Sequence, residues 1–256
     1  SGLSPWVQEL REDFHRHPEL RFEEHRTAEV CAGELEKMGI AVQRGVGRTG
    51  VVGTLNCDGG EGPVVAFRAE MDALAMQDLC GAPYQSENDG VAHLCGHDGH
   101  VASLLGAAKI LAEMRDTLPG TIKFIFEPSE EATPADEICG AEAMINDGVL
   151  ENPQIDAIFG AHFYPDWKAG TVALKSGVVF SGNDVVHLTV RGQESHSAVP
   201  HEGIDAIYIA SQIVTATQGL AAHMDINEAV SLHWTTIHGG RISNLIAGEV
   251  VLEGSF

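Results

Sequence analysis

The stretch CGHDGHVASLLGAAKILAEMRDTLPGTIKFIFEPSEE (residues 95–131) decides the fold class. It opens on a thiol and two imidazoles and enters an apolar-rich helix over residues 100–114. It then turns at Pro119-Gly120 and alternates as a strand over 121–126, ending on carboxylates. A helix feeding a strand, with chemistry-bearing side chains just past the strand, is the pattern of an α/β fold. Sites in such folds lie outside the carboxyl ends of the strands.

Upstream, residues 6–17 read as a helix that stops before Pro18, and 23–38 as a second helix ended by Gly39. Strands are expected at 51–55 and 64–68, followed by Glu70 and Asp72. Downstream, a helix over 141–146 and a buried strand over 157–161 lead to His162, and 172–174 is strand-like. These elements predict a largely parallel sheet flanked by helices, in a domain spanning 1–180. The character changes near Ser181-Gly182-Asn183. A strand over 185–190, a helix over 204–222 and strands over 229–237 and 250–256 form a β-α-β-β series, the start of a ferredoxin-like split βαβ motif. A second, α+β domain is therefore expected over 181–256, its pattern incomplete at the last residue.

Composition narrows the function. With 15 basic against 37 acidic side chains the net charge is −22, which repels nucleic-acid phosphate and anionic lipid. No nucleic-acid or membrane partner is expected, and no apolar run approaches the ~20 residues of a membrane span. Ser1-Gly2-Leu3-Ser4-Pro5 lacks the basic and apolar regions of a signal peptide. Five irregularly spaced cysteines argue against a disulfide framework and for a reducing, cytoplasmic compartment. Four of them read as small buried apolar side chains.

The fifth, Cys95, heads Cys95-Gly96-His97-Asp98-Gly99-His100, on a loop entering a helix. Thiolate sulfur and imidazole nitrogen suit zinc and neighbouring transition metals, and a helix N-terminus favours the thiolate; read alone, the motif could also be structural. In Glu127-Pro128-Ser129-Glu130-Glu131 one carboxylate can bind metal while its neighbour works as general base and then general acid. A solvated acidic loop is the plain alternative. His162 after Gly160-Ala161 is, by itself, an ordinary structural histidine.

Taken together and in order, these pieces resemble the M20 metallopeptidase family, in its aminoacylase, hippurate hydrolase and auxin-conjugate hydrolase branch. The resemblance rests on 14–20 (FHRHPEL), 68–74 (RAEMDAL), 95–100, 127–131, 160–162, 196–201 (HSAVPH) and Ile237-His238-Gly239-Gly240 with Asn244. It implies a zinc-peptidase-like catalytic domain with two divalent metal ions (zinc, manganese, cobalt or nickel) and a smaller lid through which a homodimer forms. It implies Cys95, His97, Glu131 and His162 as metal ligands, Glu130 as general acid/base, His196 as the lid histidine that stabilises the oxyanion, and Asn244 as a substrate contact. The implied reaction is hydrolysis of the amide bond of N-acyl amino acids or related small amides by metal-activated water. A dipeptidase or aminopeptidase of the same clan and an inactive metal- or ligand-binding homologue are the alternatives.

The chain departs from the family pattern in several places. Glu70 stands where an Asp is usual and Glu127 where a Gln is usual, either as drift or as a change in metal affinity. Asp72 keeps its identity, as an orienter of a ligand histidine. Residues 132–139 look longer than usual, and Leu74-Ala75 replaces Leu-Pro. The family pattern continues beyond residue 256 with the rest of the lid, a return to the catalytic sheet and a last metal-binding histidine.

Overall fold

A computed structural model describes residues 2–131, 137–180, 182, 184–225 and 230–256. The chain divides into two compact units, Ser1–Ala169 and Gly170–Phe256, so the division precedes the boundary expected after residue 180.

The first unit contains α1 (Leu3–Arg16), α2 (His25–Lys37), β1 (Ala41–Val46), β2 (Gly50–Asn56), β3 (Val64–Glu70), α3 (His97–Glu113), β4 (Thr121–Glu127), α4 (Gly140–Asn146) and β5 (Ala157–Gly160). Its sheet is mixed, in the order β1-β2-β4-β3-β5. The β1/β2 and β2/β4 pairs are antiparallel, while β3/β4 and β3/β5 are parallel. The alternation in β4 explains the layering. Ile122, Phe124 and Phe126 face a core built with Phe14 of α1, Leu35 of α2 and Leu105 of α3. Ile125 faces the other way, onto Met144 and Val149. Lys123 shares Ile125's face and is 3% exposed; its Nζ donates to the carbonyls of Val149 (3.0 Å) and Glu151 (2.6 Å), which satisfies the buried charge.

Several local expectations change. β1 has no counterpart in the sequence reading, because Gln43, Arg44 and Gly45 interrupt any alternation; it pairs with β2 through a register shift between Arg44 and Val46, beside Gly45 at φ +72°. β5 is exposed at every residue rather than buried, since it ends the sheet. Residues 172–174 form no strand. Of the 132–139 stretch only 137–139 are described, so its length stands outside the described residues, as do Ser181, Asn183 and the expected strand start at Ala229. Among the described residues no helix is long and apolar enough to cross a membrane.

The second unit contains β6 (Val185–Arg191), β7 (Ser195–His196), α5 (Ala206–Thr217), β8 (His233–Gly239), β9 (Leu245–Ile246) and β10 (Glu249–Ser255). Its main sheet has the order β6-β10-β8 with both pairings antiparallel, so β6 and β8 run the same way on either side of β10. That is the split βαβ arrangement. Asp205 caps α5 by accepting from the Tyr208 amide at 3.0 Å, and Ala206 and Ala210 pack on Val190, Val250 and Leu252.

One glycine ties the first unit's packing to its chemistry. A Cβ on Gly140, at the start of α4, would lie 1.5 Å from the Pro128 carbonyl oxygen, and the Gly140 amide donates to the Ser129 carbonyl at 2.9 Å. The helix thus presses directly on the loop carrying Glu130 and Glu131. Gly140→Ala is expected to destabilise the chain by about 1–3 kcal/mol through overpacking, lowering the urea midpoint at unchanged m-value. An unchanged midpoint would count against this close approach.

Candidate metal centre

The site sits on the carboxyl edge of β3, β4 and β5. Parallel pairing of β3 and β4 sets Glu70 beside Glu127. Arg68, two residues back on the same face of β3, donates from Nε to Glu127 and from Nη1 to Glu70. The two departures from the family pattern therefore share one cation. The second oxygen of Glu70 accepts from His100 Nδ1 at 2.9 Å, and His100 Nε2 accepts the Phe163 amide at 3.0 Å. Burial pushes the Glu70 carboxyl up, but the His100 bond and the Arg68 charge outweigh it and hold the group down at about 2.

Helix α3 begins at His97, three residues earlier than its periodicity suggests. Gly96 precedes it at φ +94°, a conformation L side chains rarely adopt, and so lets the chain turn sharply between Cys95 and His97. His97 is buried in the first turn. Its Nδ1 donates to the Asp72 carbonyl at 2.9 Å, which leaves Nε2 facing Glu130 (3.7 Å) and Glu131 (3.9 Å). The Asp72 carboxylate in turn accepts the Glu131 amide at 2.8 Å. Asp72 thus holds an imidazole and the backbone of Glu131 at once. Burial alone would lower the His97 pKa, but the bond to Asp72 and the charge of Glu70 raise it to about 9. Across the site, Cys95 Sγ lies 3.4 Å from His162 Nε2, just beyond β5.

The loop after β4 is bent at Ser129, whose φ is +47°. Glu24, fully buried at the start of α2, accepts the Ser129 amide at 2.8 Å and the Thr49 hydroxyl at 2.5 Å. These contacts present Glu130 and Glu131 to the site. Sequence reasoning missed Glu24, because a glutamate at a helix start ordinarily reads as a solvated one. It also left unread why residues 14–20 recur beside this chemistry. The carbonyl of Glu19 accepts the Ala73 amide at 2.8 Å and the carbonyl of Arg16 accepts the Glu87 amide at 2.8 Å, so the segment ties down the 72–94 loop.

The site is strongly anionic. Burial first, and then Glu131, Glu130 and Glu70, push the Cys95 thiol up to about 12. Burial and the nearby carboxylates thus disfavour the thiolate expected from the helix N-terminus. Burial also raises Glu130, with Glu131 adding to it against the pull of His97 and Arg68. Donor atoms of Cys95, His97 and His162 lie within 4.8 Å of one another, and so do those of His97, Glu130 and Glu131. Glu131 Oε1 is buried without a hydrogen-bond partner. An orphaned carboxylate oxygen among sulfur, nitrogen and oxygen donors fits a divalent cation.

His196 and Asn244 belong to the second unit, His196 on β7 and Asn244 in the turn just before β9. His196 in β7 pairs with Leu245 in β9, and the Ser197 amide donates to the Asn244 carbonyl at 3.0 Å. Both residues are exposed, and His196 Nδ1 accepts the Ala198 amide at 3.1 Å.

The family model for peptidase family M20/M25/M40 matches residues 66–243. The chain belongs to this family. It is 39% identical over 257 residues to the N-acetyl-L-cysteine deacetylase of Bacillus subtilis, covering 100% of this chain and 60% of that protein. It is 36% identical over 246 residues to the N-acyl-L-amino acid amidohydrolase of Geobacillus stearothermophilus, covering 96% and 65%. The M20 chain thus spans less than two thirds of the length of these relatives. Its fold matches the Bacillus subtilis YXEP protein, a dinuclear metal binding peptidase, with TM-score 0.79 and 32% identity over 99% of this chain and 64% of that one.

The Glu70 network carries a pH signature. A carboxyl held at about 2 when folded, against an ordinary 4.5, contributes stability that is full above pH 4.5 and lost as pH falls towards 2. Urea melts of the metal-free M20 chain between pH 5 and 2 should therefore show a shallower acid limb for Glu70→Gln than for wild type. Parallel curves would remove the charge network as a source of stability.

Proposed function

We propose that this protein hydrolyses the amide bond of N-acyl amino acids or related small amides at a pair of divalent metal ions held by Cys95, His97, Glu131 and His162. The observation that carries the reading is the convergence at one strand edge of these donors from three separate segments, with Glu131 Oε1 buried and unbonded. Support comes also from the relatives, a deacetylase of N-acetyl-L-cysteine and an N-acyl-L-amino acid amidohydrolase. The mixed sulfur, nitrogen and oxygen donors favour zinc, with manganese, cobalt and nickel as competitors.

Divalent cations at such a site supply Lewis-acid polarisation of the amide carbonyl and lower the pKa of water. The chain's own residues do the rest. Asp72 fixes His97 in the Nδ1–H tautomer, so Nε2 carries the lone pair. Glu130, half in solvent and shifted upward by burial, is suited to take a proton from attacking water and return it to the leaving nitrogen. His196 is assigned to the oxyanion and Asn244 to the substrate, with the second unit as lid and dimerising element.

Glu130→Gln is expected to lower turnover of N-acetyl and N-benzoyl amino acids by about 10²–10⁴-fold with bound metal unchanged by elemental analysis. Cys95→Ser should weaken metal binding at least about tenfold. Metal-loaded wild type that turns over dipeptides faster than N-acyl amino acids would overturn the substrate class; turnover surviving in Glu130→Gln would overturn the assigned base.

A further inference from the structure

A second group of donors lies apart from the centre just described. Cys80 was read as a buried apolar cysteine, but it is exposed, and it meets two buried partners, His15 (5% exposed) and Asp78 (1% exposed). One ligand atom from each lies within 4.8 Å of the other two. We propose that His15 Nε2, Asp78 Oδ2 and Cys80 Sγ form an additional binding site for a zinc-like divalent cation.

The spacing also matches that of ligands around one ion. His15 Nε2 stands 3.3 Å from Asp78 Oδ2, yet it is buried and makes no hydrogen bond. Cys80 Sγ stands 3.5 Å from the same oxygen. Tetrahedral zinc, with bonds of about 2.0 Å to nitrogen or oxygen and 2.3 Å to sulfur, holds its nitrogen and oxygen ligands about 3.3 Å apart and its sulfur and oxygen ligands about 3.5 Å apart.

The outer contacts are also those of a built site. His15 Nδ1 lies 2.7 Å from Asp98 Oδ2, and Arg11 Nε pairs with that same oxygen at 2.9 Å. A ligand histidine commonly donates its other ring N–H to a carboxylate, which fixes the tautomer and leaves the ligating nitrogen bare. Asp78 is equally fixed. Its oxygens accept the amides of Cys80 and Ser86, each at 2.9 Å, so the carboxylate is held in place before any ion arrives. Cys80 is the exposed member, giving the ion a route from solvent. Binding replaces the Cys80 S–H···Asp78 hydrogen bond by two bonds to the ion, and the thiol proton leaves to solvent. The site ties α1 to the 72–94 loop and, through Asp98, to the first turn of α3.

The test counts zinc on the 256-residue chain by elemental analysis after loading the metal-free protein, and measures affinity by competition with a chelator. Cys80→Ser, a mild exchange at an exposed position, should lose one zinc equivalent or bind it at least about tenfold more weakly. Asp78→Asn should do the same. Cys95→Ser should keep the Cys80-dependent equivalent, so loss of the metal pair and loss of this site are told apart. After cobalt loading, Cys95→Ser should retain a thiolate charge-transfer band that the double variant with Cys80→Ser lacks. Unchanged zinc count and affinity in Cys80→Ser overturns the proposal. An effect in Cys80→Ser with none in folded Asp78→Asn also overturns it, since that outcome is an adventitious ion on a lone thiol. If Asp78→Asn does not fold, Cys80→Ser and the cobalt band decide.

Discussion

The bridge that Arg68 makes between Glu70 and Glu127 is the contact on which the strand-edge site of the first unit depends. It exists because β3 and β4 run parallel in register, which sets two carboxylates side by side at one strand edge. Without a cation between them they would repel across a short gap. With it, Glu70 is free to turn its second oxygen to His100, and His100 passes its other nitrogen to the amide of Phe163. The bridge therefore reaches from the middle of the sheet to the residue beside His162. The substitutions at 70 and 127, each unusual alone, are chemically one feature, a carboxylate pair neutralised in part by a single guanidinium.

Burial and negative charge together set the protonation of this centre. Two of its groups hold protons tightly, His97 to about 9 and Cys95 to about 12. Burial is the largest cause for the thiol, with Glu131, Glu130 and Glu70 adding to it, while the bond to Asp72 and the charge of Glu70 raise the imidazole; that negative charge would also favour a divalent ion. Asp72 is the hinge between these roles, since it anchors the imidazole by its carbonyl and the Glu131 amide by its carboxylate. It thereby fixes which His97 nitrogen points inward and where the Glu131 backbone sits.

The two units carry different sets of candidate residues. The first carries the sulfur, nitrogen and carboxylate donors on an α/β scaffold, and the second carries His196 on β7 and Asn244 in the turn before β9, in a two-stranded sheet separate from the β6-β10-β8 sheet. The chain spans less than two thirds of its relatives, so the exposure of β5 describes this stretch of sequence alone.

Periodicity and residue order alone determined much of this protein. The alternation of 121–126, the helix feeding it and the carboxylates past it identify an α/β unit with its chemistry at strand ends, because side-chain period and strand polarity are local properties. The ordered motifs from 14–20 to Asn244 determined the family. Tertiary structure decided what local pattern cannot carry. It showed that Glu24, which reads as a solvated helix-start acid, is buried and shapes the loop of Glu130. It showed that burial, together with carboxylates from other segments, pushes the Cys95 thiol up despite the helix N-terminus. And it brought His15, Asp78 and Cys80 within ligand distance from two segments more than sixty positions apart. Electrostatics and coordination act through space, and a sequence records only neighbours along the chain.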